Sequence, residues 1–242
     1  MELTQEESAI LKNALEYARE NKKNIARDLT DSSRFPSEEE PVSVFMAGSP
    51  GAGKTEASIE LLTRLEEDVG EILRIDADEL RTMFPGYTGN NSYLFQPAVS
   101  VLVEKIHDMA LKQKQSFLLD GTLSNYDKAK QNISRSLKKG RIVQILYVYQ
   151  DPLLAWDFVT KREQVEGRGI RLEHFIEQYF AARNVVNLLK KDLGSQIKVD
   201  LLMKNTDNSH RWYKAGVDQI DNHIPEKYTS VDLEKVLSKI ER

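Results

Sequence analysis

The sequence predicts an α/β fold, a P-loop NTPase- or kinase-like parallel sheet with helices on both faces, a small lid, and extra helices at the N- and C-terminal ends. Three observations predict it. Short β-prone runs alternate with stretches of helical period from residue 42 to residue 203. The segment Gly48-Ser49-Pro50-Gly51-Ala52-Gly53-Lys54-Thr55 joins the first such run to the first helix after it. With 242 residues, 40% of them hydrophobic, the chain is long enough for one main core.

Taken in order, Thr4 and Glu7 make a capping-box pattern, and Ile10, Leu11, Ala14, Leu15 and Ala18 recur at helical spacing, which predicts an amphipathic helix to about residue 27. Residues 30–41, rich in Ser, Pro and Glu, follow neither period and read as a flexible linker. Strands are then expected over 42–47, 72–75, 116–119, 142–149 and 197–203, and helices over 55–67, 98–113 and 126–139, the last ended by Gly140. Asp151-Pro152 is a helix start running to about residue 162. A basic break, Glu166-Gly167-Arg168-Gly169-Ile170-Arg171, separates it from a helix over 172–193. The expected organisation is an N-terminal helix and linker (1–40), a core (41–204) with a lid near 162–171, and a polar tail (205–242) with a terminal helix from Val231.

Charge and composition restrict the function. The 38 acidic and 34 basic residues are interspersed, giving a net charge of -4, and no basic block offers a polyanion grip, which disfavours nucleic acid as a bulk partner. Without cysteine there is no disulfide, thiolate metal site or thiol nucleophile. The acidic start and the lack of a long apolar run argue against a signal peptide and a membrane partner, so a cytoplasmic protein is expected.

The segment from Gly48 to Thr55 matches G-x-x-x-x-G-K-[ST] in full. Its glycines let backbone N–H groups turn toward phosphates, and the helix N-terminus adds its dipole. Lys54 is expected to reach the β- and γ-phosphates, and Thr55 to place its hydroxyl on Mg²⁺. A nucleoside triphosphate, ATP or GTP, is the expected ligand. The loop alone does not separate GTPases, motor ATPases and small-molecule kinases.

Ligands of parallel sheets sit at the carboxyl ends of the strands, and acids stand there after the second and third strands. A kinase needs a carboxylate to take the proton of the attacking hydroxyl. Asp78 is chosen for that role and Asp76 for the Mg²⁺ shell, although spacing alone permits the exchange, and either acid suits a helix N-cap. Asp120 suits metal-shell contact, substrate hydroxyl binding or a turn before Gly121. Thr122 suits substrate binding or a cap. Arg162, Arg168 and Arg171 flank the glycine-containing break, where a mobile lid would carry cations onto the transferring phosphoryl group. Their plainer roles are a helix C-terminal charge and solvated loop residues.

These motifs resemble the zeta toxin family of bacterial toxin–antitoxin systems, P-loop kinases that phosphorylate UDP-N-acetylglucosamine and related nucleotide sugars on the sugar 3′-hydroxyl. The resemblance spans roughly residues 42–204. It rests on the phosphate loop, on Ile75-Asp76-Ala77-Asp78-Glu79-Leu80-Arg81 with Pro85 and Tyr87 following, and on Leu118-Leu119-Asp120-Gly121-Thr122. It implies Asp78 as base, Arg162 and Arg168 as lid arginines, Asp120, Thr122 and Arg81 as substrate contacts, and an antitoxin as partner. The spacing between Arg162 and Arg168 is short for the family, so Arg171 is a substitute. After the third strand the family pattern is Glu-Gly-Thr-x-Arg, whereas this chain has Asp120-Gly121-Thr122-Leu123-Ser124. The shortened acid and the serine in place of a basic contact alter the grip on the acceptor. In the family, antitoxin helices bind near the ATP site, so the N-terminal helix is expected either to cover that site or to complete the core.

Overall fold

The computed structural model describes residues 3–167, 169–204, 211–225 and 228–239. The chain runs α1 (Gln5–Leu29), β1 (Val42–Ala47), α2 (Lys54–Val69), β2 (Leu73–Asp76), α3 (Ala77–Arg81), α4 (Ser92–Lys112), β3 (Phe117–Asp120), α5 (Tyr126–Leu137), β4 (Ile142–Tyr149), α6 (Pro152–Glu166), α7 (Leu172–Leu193), β5 (Lys198–Lys204), β6 (Arg211–Lys214) and α8 (Ser230–Leu237).

One six-stranded sheet has the order β2-β3-β1-β4-β5-β6. The first five strands are parallel and β6 closes the edge antiparallel to β5. Because β3 and β4 flank β1 on opposite sides, the connections diverge at the carboxyl end of β1, where ligands of such sheets bind. Strand alternation sends Phe45, Ala47, Ile145 and Tyr147 to one face with α4 and α7. It sends Val44, Met46, Leu118, Leu146 and Val148 to the other, against Ala57 and Leu62 of α2. Burial on both faces explains why these runs are almost continuously apolar.

The capping box at Thr4 and Glu7 forms as expected. Ala14, Ala18, Ile25 and Ala26 of α1 are buried in the same cluster as Leu94, Phe95, Ala98 and Leu102 of α4. The N-terminal helix is therefore part of the main core and lies on the sheet face opposite α2. Residues 30–41 have no helix or strand, yet they are pinned. Gln115 Nε2 donates to the carbonyls of Thr30 (3.0 Å) and Phe35 (2.7 Å), Ser116 Oγ donates to Glu38 (2.7 Å), and Phe35 is buried. The segment is a strap, where the sequence suggested a flexible linker.

Three other elements depart from expectation. Helix α4 starts at Ser92 with Pro97 inside it, because burial of Leu94 and Phe95 outweighs the N–H that proline lacks. Helix α3, too short to show a period, follows β2 directly. The presumed polar tail contains β6, whose pairing puts Trp212 opposite Met203, while Val217, Ile220 and Ile224 enter the core. Leu233 and Leu237 of α8 pack with Trp156, Phe175 and Tyr179 of α6 and α7. Among the described residues no helix is long and apolar enough to cross a membrane.

Candidate active site

The segment from Gly48 to Lys54 leaves β1 and turns into α2. At Gly51 the backbone takes φ +72°, and a Cβ there would collide with the Ala155 carbonyl of α6 and stand 2.9 Å from Val159 Cγ2. Only glycine permits both that angle and that approach. Ser49 and Ala52 are buried, Pro50 is half-buried, and the Gly48 N–H donates to the Thr122 carbonyl at 3.2 Å, which ties the loop to the segment after β3. Lys54 Nζ donates to the Gly48 and Ser49 carbonyls at 3.0 and 2.6 Å. Burial lowers its pKa to about 8, opposed by the charge of Asp120 and assisted by that of Arg162, with Asp78 and Glu56 also opposing. Thr55 is exposed on the first turn of α2.

Asp76 and Asp120 end neighbouring strands in direct register. A residue that sequence reasoning missed joins them. Arg74, two positions before Asp76 and on the same face of β2, donates from Nη2 to Asp76 and to Asp120, both at 2.6 Å, and from Nε to Ser58 Oγ at 3.1 Å. Ser58 Oγ stands 3.1 Å from Asp120 Oδ2 and 2.8 Å from the Thr55 carbonyl. All three charged side chains are about nine-tenths buried. Burial raises the Asp76 pKa, opposed by the Asp78 N–H and by Arg74. The signal in the sequence was a lone charge inside an apolar strand, which needs a buried partner.

Asp76 is also the N-cap of α3: its Oδ1 accepts from the Asp78 N–H at 2.7 Å. Both of its oxygens are thus engaged. Asp120 uses Oδ2 alone for Arg74 and Ser58, and its Oδ1 accepts no hydrogen bond among the described residues. Asp78 differs from both. It lies on the first turn of α3, is about a third exposed, and meets the Arg81 guanidinium, which also binds Gln96 of α4. Arg162 Nη1 of α6 stands 4.0 Å from its Oδ2. The charges of Asp120, Arg162 and Asp78 all bear on Lys54.

Beyond β3, Leu123 takes φ +53°, a left-handed conformation that branched side chains rarely adopt, and the Thr122 and Ser124 hydroxyls lie 3.0 Å apart. Such outliers cluster at binding sites. After α6, Gly167 caps the helix in the left-handed region, and the Asn90 side chain lies against it, so the turn seats on the loop before α4. Arg171 is the N-cap residue of α7, and its charge reaches Tyr93 on the first turn of α4. Arg168 lies outside the described residues.

A phosphate loop at a central parallel strand, with acids ending the two strands beside it on one flank, defines a P-loop protein of kinase-like fold. The sequence model of the zeta toxin family matches residues 26–218, and the chain belongs to that family. No curated protein matches the sequence. Among solved structures, the fold is similar to one from the PezAT chromosomal toxin–antitoxin system of Streptococcus pneumoniae. The TM-score is 0.62 at 18% identity over 98% of this chain and 95% of that one. It is also similar to AvrRxo1-ORF1:-ORF2 structures. One with ATP gives 0.56 at 16% identity over 85% of this chain and 65% of that one. One with sulphate ions gives 0.57 at 16% identity over 89% and 70%.

Proposed function

We propose that the protein transfers the γ-phosphoryl group of ATP or GTP to a hydroxyl of a nucleotide sugar, such as the sugar 3′-hydroxyl of UDP-N-acetylglucosamine. In this reading it acts as a zeta-type toxin in the cytoplasm, restrained by an antitoxin protein. One observation supports the reading: of the three acids at the strand ends, Asp76 and Asp120 are buried around Arg74, whereas Asp78 is about a third exposed, pairs with Arg81 and lies 4.0 Å from Arg162 of α6. An acid that must meet an incoming hydroxyl needs that exposure, so that the hydroxyl can come within hydrogen-bond reach of it.

The donor half follows from the loop. Backbone N–H groups from Gly48 to Thr55 cradle the phosphates and Lys54 neutralises the β–γ bridge. For Mg²⁺ the donor set fits: Thr55, Asp120 and Asp76 offer hard oxygens only, and no cluster of three His, Cys, Asp or Glu exists among the described residues to cage an ion without water. Of the two acids, Asp120 supports the metal-side role better, since Asp76 has both oxygens engaged. When bound, the ion supplies charge neutralisation at the phosphates. Arg162, and Arg168 with it, would bring positive charge onto the transferring group, each worth a factor of about 10³ to 10⁵ in rate. Arg81 orients Asp78 and Gln96, and Thr122 with Asp120 lines the acceptor side of the loop.

A second acceptor, such as a nucleoside or a polynucleotide 5′-end, is favoured by one observation. Ser124 is occupied with Thr122 where the family pattern carries an arginine. The test is a phosphotransfer screen of the purified protein with γ-labelled ATP and GTP against UDP-sugars, nucleosides and oligonucleotides. Label on a UDP-sugar is the expected result. Label on oligonucleotides or nucleosides alone would transfer the assignment to the second acceptor.

A further inference from the structure

Beyond the motif itself, a second lysine reaches the phosphate loop. Residues of β5 alternate between the two sheet faces, and Val199 and Leu201 join the α4 and α7 face. Lys204, the last residue of β5, falls on the other face with Leu202, the side occupied by α2. Its distal carbons run across Gly53, so that a Cβ added to that glycine would stand 2.9 Å from Lys204 Cε and 3.2 Å from Cδ, and would collide with Nζ. The amine therefore rests on the loop residue that immediately precedes Lys54.

Lys204 is only 7% exposed. A lysine buried to that degree ordinarily has a carboxylate or several carbonyls around its ammonium. Here, among the described residues, Nζ donates no hydrogen bond and forms no ion pair. Glu56, on the first turn of α2, acts on it only through space, against the burial that pulls its pKa below the ordinary lysine value. A largely buried lysine whose ammonium has no hydrogen-bonded or ion-paired anion among the described residues, and which is seated on an anion-binding loop, is a residue prepared for a ligand's charge. A merely structural role would be served by methionine or leucine against the same glycine.

We infer that Lys204 is a second phosphate-binding cation of the nucleotide site, contacting the α/β-phosphate side of the donor from the β5 edge while Lys54 serves the β/γ side. The α/β assignment follows from the loop, whose backbone at Gly53 cradles the α- and β-phosphates and whose own lysine reaches onward to the γ end. The contact deepens the donor half of the function proposed above and rests on the loop holding a nucleotide, not on the identity of the acceptor.

Calorimetric titration of ATP, ADP and adenosine (or the guanine series, if the wild type prefers it) into wild type, K204M and K204R tests it. Methionine keeps the aliphatic stem across Gly53 and removes the charge. K204M is expected to bind ATP and ADP about 10- to 100-fold more weakly by equal factors, the scale of one charge-assisted hydrogen bond. Adenosine affinity should be unchanged, and K204R should recover most of the loss. Should methionine not be tolerated, K204Q carries the same comparison. Wild-type affinity for ADP in K204M, or an equal loss for adenosine, would overturn the inference. A wild type that binds nucleotide with the Lys204 pattern but labels no acceptor would remove the kinase reading and leave this contact standing. A wild type that binds no nucleotide would remove both.

Discussion

Arg74 shows how one side chain sets the state of two others. A guanidinium shared by two buried carboxylates compensates charges that neither could carry alone at the end of a strand. Replacing it with methionine leaves Asp76 and Asp120 adjacent and uncompensated, a loss of about 3–5 kcal/mol measured by urea unfolding at pH 7. The pH dependence has a definite sign. Burial holds the Asp76 pKa above its unfolded value, and loss of Arg74 raises it further, so the native state of R74M takes up protons that the unfolded state has released. Its deficit therefore grows as pH rises through the carboxylate range and shrinks toward pH 4. A deficit independent of pH would argue against the pairing. Lys54 makes the converse prediction for binding. Its pKa of about 8 leaves it charged at pH 7 and mostly neutral at pH 9, whereas a bound triphosphate holds it protonated. Affinity for ATP, read by titration calorimetry, should decline above pH 8 by up to about tenfold per pH unit, and a flat profile to pH 10 would contradict it.

At the scale of elements, the position of α1 separates a structural role from an inhibitory one. Its buried stripe of Ala14, Ala18, Ile25 and Ala26 lets it approach α4 closely, Tyr17 packs edge-on against Phe84 with centroids 5.5 Å apart, and Glu7 accepts from Tyr93. The Ala14, Ala18, Ile25 and Ala26 stripe lies on the sheet face opposite α2, while Glu7 reaches the first turn of α4. Deleting residues 1–38 removes that helix and the Phe35 anchor, so the truncated chain is expected to lose cooperative unfolding or to melt at least about 10 °C lower, by differential scanning calorimetry. A truncated chain with unchanged melting temperature and tighter nucleotide binding would mark α1 as a cover instead. The aromatic contacts also explain the Pro85 to Tyr87 segment: Phe84 and Tyr87 both pack on Phe95, at 5.7 and 5.6 Å, which anchors the end of α3 and hence the helix that carries Asp78.

For the whole molecule, what could be read in advance follows from where the information lies. The alternating elements of the core were legible because doubly buried strands must be apolar and surface helices must repeat near 3.6 residues. The loop was legible because its spacing is fixed by phosphate geometry. Strand β6 was not, since four residues with Trp212 and Tyr213 exposed show no burial pattern, and its stability comes from pairing with β5. Arg74 and Lys204 escaped for a related reason. Each is a charged side chain in a short strand, and only the packing of strands against α2 reveals what it faces. Asp78 was chosen by position and resemblance, and the fold adds that it is the most exposed acid of the three, 4.0 Å from Arg162. The most direct measurement is therefore single-turnover transfer from γ-labelled ATP to the acceptor identified by the screen, in wild type and D78N, with ATP affinity determined in parallel. D78N is expected to bind ATP nearly unchanged and to transfer about 10² to 10⁴ more slowly, the scale of a positioned general base. Full-rate transfer by D78N would contradict it.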